Sequence, residues 1–202
     1  MKKYFVTAIG TDSGKTFFSA ILTEALKADY WKPVQSGEPA DSNTIRGLIS
    51  NAETTILKER YFLKTPASPH ASAAIDGVEV RVSDFDLPDT ENNLVVEGAG
   101  GLLVPLNDEE TIADLIKALG LPVILVSNLY LGNINHTLLS AHYLKSAGIP
   151  VKGIVFNGPS NPASEEVIEK MTGYPVLMRI PQEDTVDQEV VKRYAAKLSQ
   201  VI

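Results

Sequence analysis

Three tetrapeptides constrain the fold of this chain more than any other feature: Gly120-Leu121-Pro122-Val123, Gly148-Ile149-Pro150-Val151 and Gly173-Tyr174-Pro175-Val176. Glycine ends a helix because it enters the left-handed conformation without a Cβ clash. The proline that follows cannot continue a helix but can open a strand. Recurring helix-to-strand junctions imply successive strand–helix–strand units, which cross over right-handed. The apolar runs Tyr4–Ile9, Leu94–Val96, Val123–Val126, Gly153–Phe156 and Val176–Ile180 mostly do not alternate apolar with polar. Such runs suit strands covered on both faces, as in a parallel sheet. Between them, Thr16–Ala28, Thr111–Leu119 and Ile134–Ala147 place apolar residues at helical spacing. The expected fold is α/β, a doubly wound, mostly parallel sheet with helices on both faces, in a single domain over residues 1–202. In such sheets ligands bind at the carboxyl ends of the strands.

The composition supports a well-buried core: 202 residues, 44% hydrophobic and 21% charged, enough to hide roughly 70% of the unfolded surface. A net charge of −7 opposes nucleic acid and acidic membrane surfaces as partners. The absence of cysteine excludes disulfides, thiolate metal sites and cysteine nucleophiles. No apolar run approaches a membrane span, and the opening Met1–Val6 is too short for a signal peptide, so a cytoplasmic protein is expected. Residues 32–93, with five prolines (Pro33, Pro39, Pro66, Pro69 and Pro88), read as loops and short helices over the catalytic edge. The tail from Thr185 reads as a terminal helix.

The run Tyr4–Ile9 leads into Gly10-Thr11-Asp12-Ser13-Gly14-Lys15-Thr16 and then into a helix. Successive backbone N–H groups in such a turn form an anion-binding concavity, and the helix N-terminus adds its own unpaired donors. Lys15 can reach the β- and γ-phosphates of a nucleotide, and the Thr16 hydroxyl can sit on Mg²⁺. The strict phosphate-loop pattern has glycine at the position of Ile9, so Gly10 comes one residue late.

Glu97 stands at the end of Leu94-Val95-Val96, before Gly98-Ala99-Gly100-Gly101. A carboxylate there is costly unless paired or bound to a cation, which points to Mg²⁺. Read locally, Asp41 is a helix N-cap and Lys32, before Pro33, a surface lysine. Asn157-Gly158 fits either a turn or a contact to a base. His70, His136 and His142 show no metal-ligand spacing and read as structural or surface residues.

Taken together, the blocks Gly10–Thr16, Lys32-Pro33-Val34-Gln35-Ser36-Gly37, Asp41, Ser68-Pro69-His70, Val96–Gly101, Leu131-Gly132-Asn133-Ile134-Asn135-His136 and Asn157 resemble dethiobiotin synthetases. The resemblance runs from Phe5 to Pro181 and implies a P-loop NTPase-like version of the expected fold. It implies conversion of 7,8-diaminopelargonate, CO₂ and ATP to dethiobiotin, ADP and phosphate through a carbamate and its phosphorylated anhydride. It implies catalytic roles for Lys15, Lys32 and Asp12, and Mg²⁺ held by Thr16, Asp41 and Glu97. ATP would contact Asp12, Ser13, Gly14, Lys15, Thr16, Phe17, Asp41, Glu97, Gly98, Ala99, Gly100, Asn157, Gly158 and Pro181. Thr11, Ser36, Ser68, Pro69, Gly132 and Asn135 would line the substrate side, the last two across a homodimer interface. Two residues depart from the family. Ala8 replaces a common glycine and bears on the path into the loop. Ser13 replaces a common valine and is expected to matter less.

Other readings of such a loop are a partition- or nitrogenase-type switch ATPase, a cobyrinate-type amidoligase and a non-enzymatic nucleotide module. The first usually has an extra lysine early in the loop, but none lies between Lys3 and Lys15. The second needs a glutaminase cysteine, and the third does not account for the acids and the second lysine.

Overall fold

The computed structural model describes residues 1–202. Along the chain run β1 (Lys3–Ala8), α1 (Lys15–Leu26), β2 (Asp29–Trp31), β3 (Val34–Ser36), α2 (Asp41–Leu48), β4 (Ile56–Leu57), β5 (Tyr61–Leu63), α3 (Pro69–Asp76), β6 (Leu94–Glu97), α4 (Ile112–Leu119), β7 (Val123–Asn128), α5 (Asn133–Ser146), β8 (Val151–Asn157), α6 (Pro162–Thr172), β9 (Val176–Ile180) and α7 (Gln188–Leu198). Seven strands form one sheet in the order β4-β2-β6-β1-β7-β8-β9, and every pairing in it is parallel. The doubly wound α/β expectation therefore holds.

Alternation along β1 divides the core between the two faces of the sheet. Tyr4, Val6 and Ala8 pack into one cluster with Phe18, Ile21 and Tyr194. Phe5 packs into the other with Val96, Ile112 and Phe156. Both faces are dry, which is why the strands read as continuous apolar runs.

The three junctions work as their residues dictate. Gly120, Gly148 and Gly173 all take the left-handed conformation, at φ 64°, 68° and 69°. The prolines have no N–H to donate, yet their carbonyls stay in the ladder: Pro122 accepts from Phe5, Pro150 from Val123 and Pro175 from Ile154, at 2.8–3.0 Å. No helix is long and apolar enough to cross a membrane.

Residues 32–93 are more ordered than expected. β4 extends the edge of the main sheet beyond β2, while β3 and β5 form a separate two-stranded parallel sheet. These strands are two or three residues long, too short for an apolar run to announce them. Asp29 is buried in β2 because its carboxylate accepts from Thr55 N–H at 2.8 Å and from the Thr90 hydroxyl at 2.6 Å. β7 and β8 also continue past their apolar runs, to Asn128 and Asn157, which pair with each other in register.

Candidate active site

Strand order reverses about β1, and the loop Gly10–Thr16 lies at that crevice, joining β1 to α1. Gly14 caps α1 at φ 89°, and Asp12 holds φ 55°, unusual for a residue with a Cβ. The backbone N–H groups of Asp12 through Thr16 have no acceptor within the protein. They and the α1 N-terminus form a concave set of donors suited to phosphate. Gly14 must be glycine for a second reason, since a Cβ there would collide with the Asn157 amide.

The loop forms one wall of a cavity of about 740 Å³. The cavity gathers Thr11, Asp12, Ser13, Gly14, Lys15, Thr16 and Phe17 with Lys32, Ser36, Asp41, Ser68, Pro69, Glu97, Ala99 and Gly100. These come from separate blocks of the sequence, and most of the expected site residues are among them. Gly98 lies just behind, its carbonyl accepting from Lys32 at 3.4 Å. Gly132, Asn135, Asn157, Gly158 and Pro181 do not line this cavity. Gly132 and Asn135 are exposed at the start of α5, and Pro181 is exposed after β9.

The centre of the site is a buried charge network. Lys32 is only 4% exposed and Glu97 is fully buried. The Lys32 ammonium donates to Glu97 Oε1 at 3.1 Å and also to Asp41 Oδ2. Glu97 Oε1 accepts from the Thr16 hydroxyl at 2.9 Å, and Oε2 accepts from the Tyr30 hydroxyl at 3.0 Å. Burial alone would pull the Lys32 pKa down, but Glu97 and then Asp41 outweigh it and hold it above the ordinary lysine value. Burial, followed by Glu97, pushes Tyr30 well above the usual phenol range. Lys15 goes the other way. Burial, with Lys32 nearby, lowers it to about 8 despite Glu97, and its ammonium donates to the Gly10 carbonyl at 3.3 Å.

Two local readings are corrected by this geometry. Lys32 is not a surface residue. Asp41 is not an N-cap: Ala40 holds that position, and the Asp41 carboxylate turns to Lys32 instead. Gln35 sets this up by accepting the Asp41 N–H at 3.1 Å.

The family departures also resolve. Ala8 continues the β1 ladder opposite Val126, so the path into the loop is regular. Ser13 carries more than expected: its buried hydroxyl donates to Asn128 Oδ1 at 2.8 Å and lies 3.1 Å from the Gly10 carbonyl. Asn157 donates to the Ser13 carbonyl at 3.1 Å. Of the histidines, His70 bonds the Ser68 hydroxyl at 3.0 Å, His136 bonds the Tyr130 hydroxyl and His142 is exposed.

Sequence reasoning missed Tyr30, Gln35 and Asn128. Asn128 left a usable trace, a polar residue just past a buried run at the carboxyl edge, as Glu97 and Asn157 are.

A set of one hydroxyl and two carboxylates fits Mg²⁺, which takes hard oxygen ligands and completes its shell with water and phosphate. Lys32 already places a cation against both acids. No group of three or more His, Asp or Glu is placed to hold a metal by itself.

The chain matches the family model described as an AAA domain over residues 2–190. It is 60% identical to the ATP-dependent dethiobiotin synthetase of Cytophaga hutchinsonii, covering 98% of this chain and 97% of the relative. It is 52% identical to that of Christiangramia forsetii, covering 97% and 95%. Among solved structures, the septum site-determining protein MinD of Pyrococcus horikoshii superposes with a TM-score of 0.61 at 13% identity, covering 98% of this chain and 94% of that one. A putative plasmid partition protein of Borrelia burgdorferi gives 0.60 at 10% identity, covering 98% and 96%. At such identities these structures show the shared fold alone. With close full-length relatives at 52–60% identity and the expected motif blocks gathered about one crevice, the chain belongs to the dethiobiotin synthetase family.

Proposed function

We propose that this protein is a dethiobiotin synthase: it carboxylates 7,8-diaminopelargonate with CO₂ and closes the ureido ring at the expense of ATP. The observation that carries this reading is the second lysine. One lysine suffices to hold a nucleotide, and Lys15 is on the loop. Lys32 is a second, buried lysine lining the same cavity, and a second cation there is what holding a second anion requires.

The steps follow from holding charge in place, since phosphoryl transfer depends on positioning and neutralisation. The diamine enters along Thr11, Ser36, Ser68 and Pro69. Asp12, exposed at the loop, offers a negative charge to its ammonium groups. Ser36 lines the cavity, and its buried hydroxyl has no partner in the protein. One free amine attacks CO₂ and loses a proton, giving a carbamate. Lys32 draws that anion toward the γ-phosphate, and Lys15 neutralises the phosphate oxygens. A carbamate oxygen attacks the γ-phosphorus and ADP leaves. The second amine then attacks the carbamoyl carbon, closing the ring with loss of phosphate. Thr16, Asp41 and Glu97 would hold Mg²⁺, which when bound neutralises charge on the phosphates. Asn157, Gly158 and Pro181 would meet the base, although only Asn157 touches the loop.

We further propose that residues 1–202 act as one domain, in the cytoplasm where ATP is available, and as a two-fold homodimer. The apolar side chains Tyr130, Leu131 and Leu139 are exposed on and beside α5, which supports a partner there. Gly132 and Asn135 lie outside their own chain's cavity, as expected if they complete the partner's site. A solution mass of about twice the 21.8 kDa chain is expected. A fully active monomer would rule the dimer out.

The test of function is incubation with diaminopelargonate, labelled bicarbonate and Mg-ATP. Acid-stable label with one ADP per product is expected. ATP hydrolysis without label would instead indicate a switch ATPase.

A pH dependence follows from Lys15. Phosphate stabilises the charged ammonium, so nucleotide binding raises the Lys15 pKa above about 8 and takes up a proton near that pH. The free protein loses that proton as pH rises through 8, so ATP affinity is full below pH 7. Above pH 8 it falls by up to about tenfold per unit. Calorimetric titrations from pH 6.5 to 9.5 should show this slope, and Lys15→Met should abolish it.

A further inference from the structure

Strands β7 and β8 end in paired asparagines, Asn128 and Asn157, and both grip the same loop residue. The Ser13 hydroxyl donates to Asn128 Oδ1 at 2.8 Å and lies 3.1 Å from the Gly10 carbonyl. The Asn157 amide donates to the Ser13 carbonyl at 3.1 Å. Ser13 is 1% exposed, so these bonds form away from bulk water.

We propose that Asn128 is a positioning residue for nucleotide binding. Acting through the Ser13 hydroxyl, it holds the phosphate loop with its N–H groups turned into the cavity. In a planar trans peptide the C=O and N–H point in opposite directions. Asn157 holds the Ser13 carbonyl toward the strand ends, so the Gly14 N–H points away from them. The Lys15 ammonium holds the Gly10 carbonyl, so the Thr11 N–H is fixed in the same way. Between these two peptides Asp12 keeps a left-handed conformation, which a residue with a Cβ holds only where its surroundings enforce it. Donors fixed before the anion arrives need no reordering when it binds.

This role of Asn128 rests on the ATP-dependent reading above, but ATP binding can be measured without ring closure. A parent protein that binds ATP and makes no labelled product would defeat that reading and leave this one standing.

The test is a double-mutant cycle with Ser13→Ala, Asn128→Ala and the pair. Mg-ATP dissociation constants, ATP and diaminopelargonate KM, kcat and melting temperature are measured for each. Each single change should weaken ATP binding about three- to tenfold, the range of one lost hydrogen bond. For Asn128→Ala, at a residue outside the cavity, kcat at saturating ATP and the KM for the amine substrate should stay within about twofold, because the bond acts on the loop and not on the reacting atoms. The double variant should be no weaker than the worse single, since the bond is lost only once. Should Asn128→Ala fail to fold, Asn128→Ser, too short to reach Ser13, takes its place. ATP affinity within twofold of the parent in both singles, or losses that multiply in the double, would overturn the proposal. So would equal damage to kcat and to amine KM in Asn128→Ala.

Discussion

Lys32→Met will leave ATP binding within a few-fold of the parent and lower ring-closing turnover by about 10²–10³, the value of one preorganised charge at a developing anion. Methionine keeps much of the stem and removes the ammonium that bridges Asp41 and Glu97. Because Lys32 is buried, the change also reaches stability. Two carboxylates lose their cation, one of them fully buried, at a cost of about 3 kcal/mol. That figure sits at the low end for a broken buried pair because the Asp41 side chain remains 29% exposed. Adding Mg²⁺ should restore part of the melting temperature, since a second cation can take the same acids, but it should not restore turnover. Lys32→Arg should rescue poorly. A planar fork cannot take the place of a compact ammonium enclosed by Asp41, Glu97 and the Gly98 carbonyl. Labelled dethiobiotin formation measured beside ATP binding decides the matter. Product at the parental rate from Lys32→Met would remove the second cation from the mechanism.

Glu97→Gln will fold and will lose most Mg²⁺-dependent turnover, with an activity loss steepest at limiting Mg²⁺. The amide can be accommodated in one orientation. Its nitrogen must face Tyr30, whose hydroxyl oxygen can accept, because Lys32 can only donate. The oxygen then keeps the bonds from Thr16 and Lys32. The remaining cost is a weaker, neutral partner for a buried lysine, about 1–3 kcal/mol. Function suffers more, because one of the two charges proposed to hold Mg²⁺ is gone. A Mg²⁺ titration of turnover, with melting curves alongside, checks both parts. A variant matching the parent at limiting Mg²⁺ would make Glu97 purely structural.

The sheet was legible because its logic is local. Buried parallel strands cannot alternate, helices need a stop, and glycine followed by proline supplies both the stop and the strand entry. The short strands of residues 29–63 were not, because a three-residue strand carrying Asp29 or Gln35 has no run to detect. Its polar groups are tolerated only through partners such as Thr55, Thr90 and Gly37 that lie elsewhere in the chain or in three-dimensional turns.

The same division runs through the site. The loop from Gly10 to Thr16 declares itself by sequence, since an anion cradle is made by consecutive backbone donors and a helix start. Glu97 does too, as a carboxylate at the end of a buried strand. Lys32 and Asp41 do not. Nine residues apart, with a proline and two glycine or proline turns between them, each has an ordinary local reading as a surface lysine or a helix cap. Only the fold brings both against Glu97, where burial removes competing water and makes their charges matter. Ser13 and Asn128 lie 115 positions apart, and their bond exists because β7 runs past its apolar stretch to the loop. The residue order was enough for the strand–helix alternation and the phosphate cradle, whose physics is carried by neighbours along the chain. The charge network and the clasp on the loop were decided by the tertiary structure, because their energy comes from desolvated contacts between segments that no local pattern links.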